Sequence, residues 1–250
     1  MLFDTHAHIH EVDYPHPVDE TLARAREAGA LHIVCVGTSE DSSRRAVALA
    51  QNEIDVYASI GVHPHDTKDG YALIKGIAAT KPANLVAIGE IGLDYYYDHS
   101  PREMQIAALK EQIEIALEHD LAIIFHVRDA FDDFWPIFDS YTGIRGVIHS
   151  FTDSSDHLAE ALKRGLYIGV NGISTFTKVK AQIDMYRSIP LERLLFETDA
   201  PFLTPVPFRG KVNEPAFVKN IAAFHAELRG ISLEEIAAAT TSNARAVFAL

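Results

Sequence analysis

Short apolar runs alternate with longer amphipathic segments along all 250 residues. An opening strand begins at Leu2-Phe3 and runs into Asp4-Thr5-His6-Ala7-His8. Further strands are predicted at 31–36, 56–61, 85–91, 121–125, 145–149, 166–170 and 194–196. Helices are predicted between them at 17–29, 39–51, 66–81, 101–119, 130–141, 153–164 and 178–188. The helix at 101–119 has the clearest pattern, with Ile106, Leu109, Ile113 and Leu117 at three- and four-residue spacing. Pro17 and Gly29 bracket the first helix, a proline near its start and a glycine after its end. The run 121–125 is apolar throughout, as expected of a strand buried on both faces. Eight strands, each followed by a helix or helical loop, predict an α/β fold of the parallel (β/α)8 TIM-barrel class. A doubly wound open sheet is the alternative; it would have fewer strands, and no glycine-rich dinucleotide motif follows strand one. Helices at 214–229, 232–239 and 243–248 would cover the outside of the barrel. No linker, low-complexity run or internal repeat interrupts the pattern, which predicts a single domain over 1–250.

Composition narrows the classes. With 48% hydrophobic and 23% charged residues the chain is ordinary for a globular protein. No apolar run reaches the ~18–20 residues needed to cross a bilayer, and the N-terminus lacks the basic-then-apolar pattern of a secretory signal. The one cysteine, Cys35, lies in the run Ile33-Val34-Cys35-Val36 and reads as a core residue. A single cysteine permits no internal disulfide, which is compatible with a cytoplasmic location. The formal net charge of −13 argues against broad wrapping of a nucleic-acid duplex. It leaves open an enzyme that takes one strand end into a small, locally positive site.

The candidate chemistry lies at the strand ends, where barrel active sites are built. His6 and His8, two apart on an extended strand, point to one side. Neutral imidazoles are common metal ligands, although two such histidines alone could equally decorate a surface. Strand three ends at His63 and His65, strand four at Glu90 and Asp94, strand five at His126 followed by Arg128, and strand six at His149. Strand eight runs into Glu197-Thr198-Asp199. Mixed imidazole and carboxylate ligands suit zinc, manganese and related divalent ions such as magnesium and nickel. Four histidines and two carboxylates exceed what one open metal site uses and suit two divalent ions about 3.5–4 Å apart. His6, His8 and Asp199 would hold one ion and His126 with His149 the other. Glu90 would bridge them, beside the small Gly89. Such a centre carries a net charge of roughly +2 before any bound anion, suited to a phosphate. His63, His65, Arg128 and Arg209 would extend that pocket, Asp94 being grouped with them as a substrate contact; arginine's fork fits phosphate oxygens. The structural alternatives are hydrogen-bonded core histidines and an Arg128–Asp132 ion pair at helical spacing. Asp199 and Glu90 are the candidate catalytic carboxylates. Asp199 precedes Ala200-Pro201, and the proline stops the strand, leaving Asp199 at the mouth to orient a water and take its proton.

Seven motifs then carry a resemblance. They are Asp4-Thr5-His6-Ala7-His8, Gly61-Val62-His63-Pro64-His65, Gly89-Glu90-Ile91-Gly92-Leu93-Asp94-Tyr95-Tyr96, His126-Val127-Arg128, His149-Ser150-Phe151, Glu197-Thr198-Asp199-Ala200-Pro201 and Arg209-Gly210-Lys211-Val212-Asn213-Glu214-Pro215. In this order they resemble the TatD family of metal-dependent hydrolases, within the amidohydrolase superfamily. The resemblance covers almost the whole chain. It implies a (β/α)8 barrel, a divalent metal pair, hydrolase activity and deoxyribonuclease activity of the 3′→5′ exonuclease kind. Glu90 would stand where some superfamily relatives use a carboxylated lysine. Asp153, where the family often has glycine, and Val212, where a basic residue is frequent, depart from the pattern and bear on substrate preference. Two other functions compete: hydrolysis of a small ester, lactone or amide by the same centre, and a non-catalytic metal-binding protein. The expected partner is a DNA end or another phosphodiester, with no membrane, and the chain is expected to be a monomer or weak oligomer.

Overall fold

The computed structural model describes all residues from Met1 to Leu250. Eight strands form one sheet in sequential order. They are β1 (Leu2–Ala7), β2 (Ala30–Val36), β3 (Val56–Ile60), β4 (Leu85–Asp94), β5 (Ala122–Arg128), β6 (Gly146–Ile148), β7 (Tyr167–Val170) and β8 (Leu194–Phe196). The pairings β3–β4, β4–β5, β5–β6 and β7–β8 are parallel. The segment after β8 returns to β1: Ala7 pairs with Ala200, and the Thr5 hydroxyl donates to the Phe196 carbonyl at 3.1 Å. The fold is the (β/α)8 barrel that the alternation predicts, and no dinucleotide-type open sheet is present.

The helices are α1 (Val18–Ala28), α2 (Glu40–Asn52), α3 (Ala72–Ala79), α4 (Arg102–Glu118), α5 (Phe131–Asp139), α6 (Ser155–Lys163), α7 (Lys180–Ser188), α8 (Val218–Arg229) and α9 (Leu233–Phe248). Their ends follow local chemistry. Gly29, at φ 88°, closes α1 in the left-handed conformation glycine favours, and the Ser39 side chain accepts from the Ser42 amide to start α2. No helix is long and apolar enough to cross a membrane.

Three predicted helices differ from those observed. The single helix expected at 66–81 is a short 3-10 helix, Pro64–Asp69, followed by α3, because Gly70 at φ 105° turns the chain out of the helix. The two helices expected at 232–239 and 243–248 are one, α9. The Thr240-Thr241-Ser242 segment reads as a break, yet Thr240 Oγ1 bonds back to the Ile236 carbonyl at 2.9 Å and Thr241 Oγ1 to the Met1 carbonyl at 3.2 Å. Strands β4 and β5 also run three residues further than expected, to Asp94 and Arg128.

Contacts divide the chain into two compact units. One holds Met1–Val34 and His149–Phe248, with Leu250; the other holds Cys35–Ile148, with Ala249. Each contributes a set of the strand-end residues singled out above.

Candidate functional site

In the first unit, the end of β1 is held against the chain beyond β8 by two backbone bonds, Asp199 N–H to the His6 carbonyl and His8 N–H to the Ala200 carbonyl, both 2.8 Å. Asp199 sits here at φ 58°, a left-handed turn that aspartate tolerates better than most residues. His6 and His8 converge, as their spacing predicts: the two Nε2 atoms are 3.1 Å apart. Asp199 Oδ1 lies 3.3 Å from His8 Nε2 and 3.8 Å from His6 Nε2. His149, on the residue after β6, stacks on His6 with ring centroids 4.1 Å apart. His6, His149 and Asp199 offer ligand atoms close enough to share one metal ion. Burial alone would raise the Asp199 pKa, but the His8 hydrogen bond and the nearby His6 and His149 rings bring it below the usual carboxylate range, so Asp199 is ionised at neutral pH.

Two carboxylates brace this set from behind. Asp4, fully buried, accepts from the Thr198 amide at 2.8 Å through Oδ1 and from the Thr198 hydroxyl at 2.5 Å through Oδ2. It thereby fixes the residue before Asp199. Glu197 accepts from the Ser150 amide at 2.5 Å and lies 3.4 Å from His149 Nδ1. Gly169 makes room for it, since a Cβ there would overlap the Glu197 carboxylate.

In the second unit, Glu90 sits at an irregularity of β4, between Ile88 and Ile91, where the register against β5 shifts. Glu90 Oε1 lies 2.7 Å from His126 Nδ1 and 3.4 Å from His63 Nε2, and these three residues form a second group able to hold a metal ion. Past the irregularity, Gly92 pairs with His126 and Asp94 with Arg128. Gly92, at φ 155°, cannot be replaced in place, because a Cβ would overlap the His126 carbonyl oxygen. Asp94 divides its oxygens: Oδ2 meets His65 Nε2 and His126 Nε2, each at 2.9 Å, while Oδ1 accepts from the Tyr96 and Tyr97 amides, each at 3.0 Å. Burial opposes the charge on Asp94, but the His126 bond, the Tyr97 amide and His65 outweigh it and hold the carboxyl far below its usual range.

The histidine pair at 63 and 65 is split in character. Burial pushes His63 down to about 4, with Glu90 only partly opposing. It is therefore neutral at pH 7, a donor of a lone pair or a proton rather than a cation for phosphate, and it sits among candidate ligands. His65 is more open and faces Asp94. Arg128 makes no ion pair with Asp132; its guanidinium lies 4.1 Å over Tyr96 and 4.7 Å over Tyr97. Arg209, in the first unit, lies 3.9 Å over Phe176 and donates to the Thr204 carbonyl at 2.8 Å. Both arginines are exposed.

The supports are what sequence reasoning missed. Gln105 and Gln112 are fully buried on the same face of α4 as Leu109. Gln105 Oε1 accepts from the Asp94 amide at 2.8 Å, and its Nε2 donates to the Ser100 and Asp94 carbonyls. Gln112 makes the equivalent pair with both backbone groups of Val62, next to His63. Their signal was available: two glutamines at helical spacing on an apolar face must satisfy their amides somewhere buried.

The sequence pattern of the family described as TatD related DNase matches residues 3–249. The chain belongs to the TatD family. It is 41% identical to YabD of Bacillus subtilis, named an uncharacterized metal-dependent hydrolase, over 99% of both chains. It is 35% identical to a protein of Enterobacter lignolyticus named 3'-5' ssDNA/RNA exonuclease TatD, over 99% of this chain and 98% of that one. The crystal structure of YJJV, a TatD homolog from Escherichia coli, superposes with a TM-score of 0.93 at 31% identity, covering 100% of this chain and 98% of that one. This TatD-family chain is a metal-dependent hydrolase, and its two histidine–carboxylate groups fit divalent cations by chemistry and spacing. Two imidazole nitrogens 3.1 Å apart beside a carboxylate oxygen are the separation expected of neighbouring ligands on one ion, with bonds of ~2.0–2.1 Å each.

Proposed function

We propose that the chain is a phosphodiesterase that shortens nucleic acid, DNA foremost, from its 3′ end, and that two divalent ions serve it. The observation that carries this reading is the convergence of His6, His8 and Asp199 in one unit and of His63, Glu90 and His126 in the other. The name of the Enterobacter relative, a 3'-5' ssDNA/RNA exonuclease, supports the substrate and its polarity. His6, His8 and Asp199 would hold one ion. The assignment of His126 and His149 to the second ion, and of Glu90 to both, rests on the strand-end pattern and on family membership. Divalent ions in such a site supply Lewis acidity for water and for phosphoryl oxygens. The chain's own residues do the rest. Asp199, ionised and braced by Asp4 through Thr198, orients the water and accepts its proton at the free carboxylate oxygen. His65, Arg128 and Arg209 contact the phosphates of the substrate, and Asp94 fixes His65 and His126. A family pattern running from residue 3 to 249 supports one catalytic domain, and the lone buried Cys35 suits a reducing cytoplasm.

The test uses 5′-labelled single-stranded DNA with either a free 3′ end or 3′-terminal phosphorothioates. Metal-loaded protein should produce a ladder from the free end, slowed by the phosphorothioates and abolished by chelator. Cleavage of an aryl ester or lactone with no action on DNA would favour the small-substrate reading. Inactivity on all of them with metal bound would favour a non-catalytic role.

A further inference from the structure

The segment after β4 exposes two large aromatic rings that the mechanism above does not use. Tyr96 and Tyr97 are 58% and 50% exposed. They are nevertheless fixed. Both amides are bonded to Asp94 Oδ1 at 3.0 Å. The preceding Tyr95 is tied by its amide to the Arg128 carbonyl at 3.0 Å and by its hydroxyl to Asp133 at 2.7 Å. The two rings meet edge to face at 4.8 Å, and Arg128 lies over both. His99 stacks parallel to Tyr97 at 5.7 Å and meets His65 at 4.6 Å. Exposed rings on a braced turn, with an arginine laid across them, form a surface on which a flat π-system can stack at little ordering cost.

The same carboxylate joins this surface to the reactive groups, since Asp94 Oδ2 holds His65 and His126. A chain of net charge −13 cannot grip a polyanion through broad positive charge. Stacking does not depend on net charge, and every nucleobase has a face to offer. We propose that Tyr96 and Tyr97, with Arg128, form a stacking shelf for an unpaired nucleobase of the bound strand, Arg128 reaching the adjoining phosphate. The proposal deepens the exonuclease reading and rests on it for the identity of the strand. It predicts a preference for single strands, because a paired base, its faces covered by neighbours, cannot reach the rings.

The experiment compares a single-stranded oligonucleotide with the same strand carrying abasic residues near its 3′ end, so that the phosphodiester is constant and only the base differs. Wild-type protein should prefer the base-bearing strand in kcat/KM. Tyr96→Ala/Tyr97→Ala should reduce that preference by about five- to a hundred-fold, the range for one stacked base, through KM. Tyr96→Phe/Tyr97→Phe, which keeps the rings, should retain it. A wild type indifferent to the missing bases, or an Ala variant that discriminates as wild type does, overturns the shelf. If wild type cleaves neither strand, the exonuclease reading fails by itself. Fluorescence anisotropy with a phosphorothioate oligothymidylate then decides the shelf separately: weaker binding by the Ala variant, with an unchanged melting temperature, upholds it, and equal binding overturns it.

Discussion

Replacing Asp4 tests how the Asp199 end of the site is held. Asp4 is fully buried, and its truncation to alanine removes the acceptor of three donors, the Thr198 amide at 2.8 Å, the Thr198 hydroxyl at 2.5 Å and, at a longer 3.3 Å, the His6 amide. A buried donor left without a partner costs about 1–3 kcal/mol. The hydroxyl can rotate towards another acceptor and the His6 bond is long, so the sum falls at ~2–4 kcal/mol. In a chain of this size each kcal/mol moves the melting temperature by about 2–4 °C, which gives a loss of roughly 5–15 °C for Asp4→Ala. Asp4→Asn keeps the geometry: its amide oxygen accepts from the Thr198 amide and its NH2 donates to the Thr198 oxygen. The Asn variant should melt within a few degrees of wild type. Both melts are run in chelator, so that bound metal does not add its own stabilisation. Metal affinity is the second measurement, by competition with a chromophoric chelator. A slackened Asp199 should lower affinity by about 10–100-fold in the Ala variant, the usual size for a lost partner behind a ligand, and much less in the Asn variant. Ala melting with wild type, or Ala and Asn falling together with metal affinity intact, would show that Asp4 is not the brace.

Asp199→Asn keeps a coordinating oxygen but cannot take a proton, so turnover should drop at least ~100-fold with most of the metal retained; near-normal turnover in metal-replete protein refutes the base. His126→Ala and His149→Ala should each lower bound metal from about two per chain towards one, read by elemental analysis, and unchanged content removes them from the ligand set. His63→Ala should lower metal content while His65→Ala leaves it intact and raises KM, because only His63 lies against Glu90; the opposite pattern restores His63 to phosphate contact. Burial, helped by the Arg229 charge, pushes His225 down to about 3, from an ordinary ~6.5. The unfolded chain therefore takes up a proton below about 6.5 that the folded chain refuses, and stability falls with falling pH by up to ~1.4 kcal/mol per unit. His225→Gln, which retains a partner for Ser174 Oγ, should flatten the fall in melting temperature between about pH 6.5 and 4.5, and parallel curves would refute the assignment.

The barrel was legible because its strands, buried on both faces, read as unbroken apolar runs, and because the strand-end histidines and carboxylates follow those runs at once. The convergence of His6 with His8 followed from the two-residue period of a strand. Glu90 was legible as a strand-end carboxylate, but its placement was not, since the irregularity between Ile88 and Ile91 breaks that period. His63 and His65 look equivalent in sequence; their difference arises from neighbours 27 to 63 residues away, Glu90 and His126 against Asp94. The Thr240-Thr241-Ser242 segment misleads because its hydroxyls are satisfied by the helix itself and by Met1, a partner 240 residues distant.

That last contact bears on how the molecule is made. Met1 and β1 find their partners almost at the other end of the chain: Thr241 holds the Met1 carbonyl, Thr198 holds Asp4, and Asp199 and Ala200 hold the backbone of His6 and His8. The histidines leave the ribosome about 190 residues before the groups that align them. At ~5–20 residues per second that is an interval of roughly ten to forty seconds. During translation the nascent chain carries a histidine pair without its aspartate, so the His6–His8–Asp199 cluster comes together only after β8 and the turn beyond it have been synthesised. A prematurely terminated product that lacks Asp199 would be released without the carboxylate that faces the two histidines.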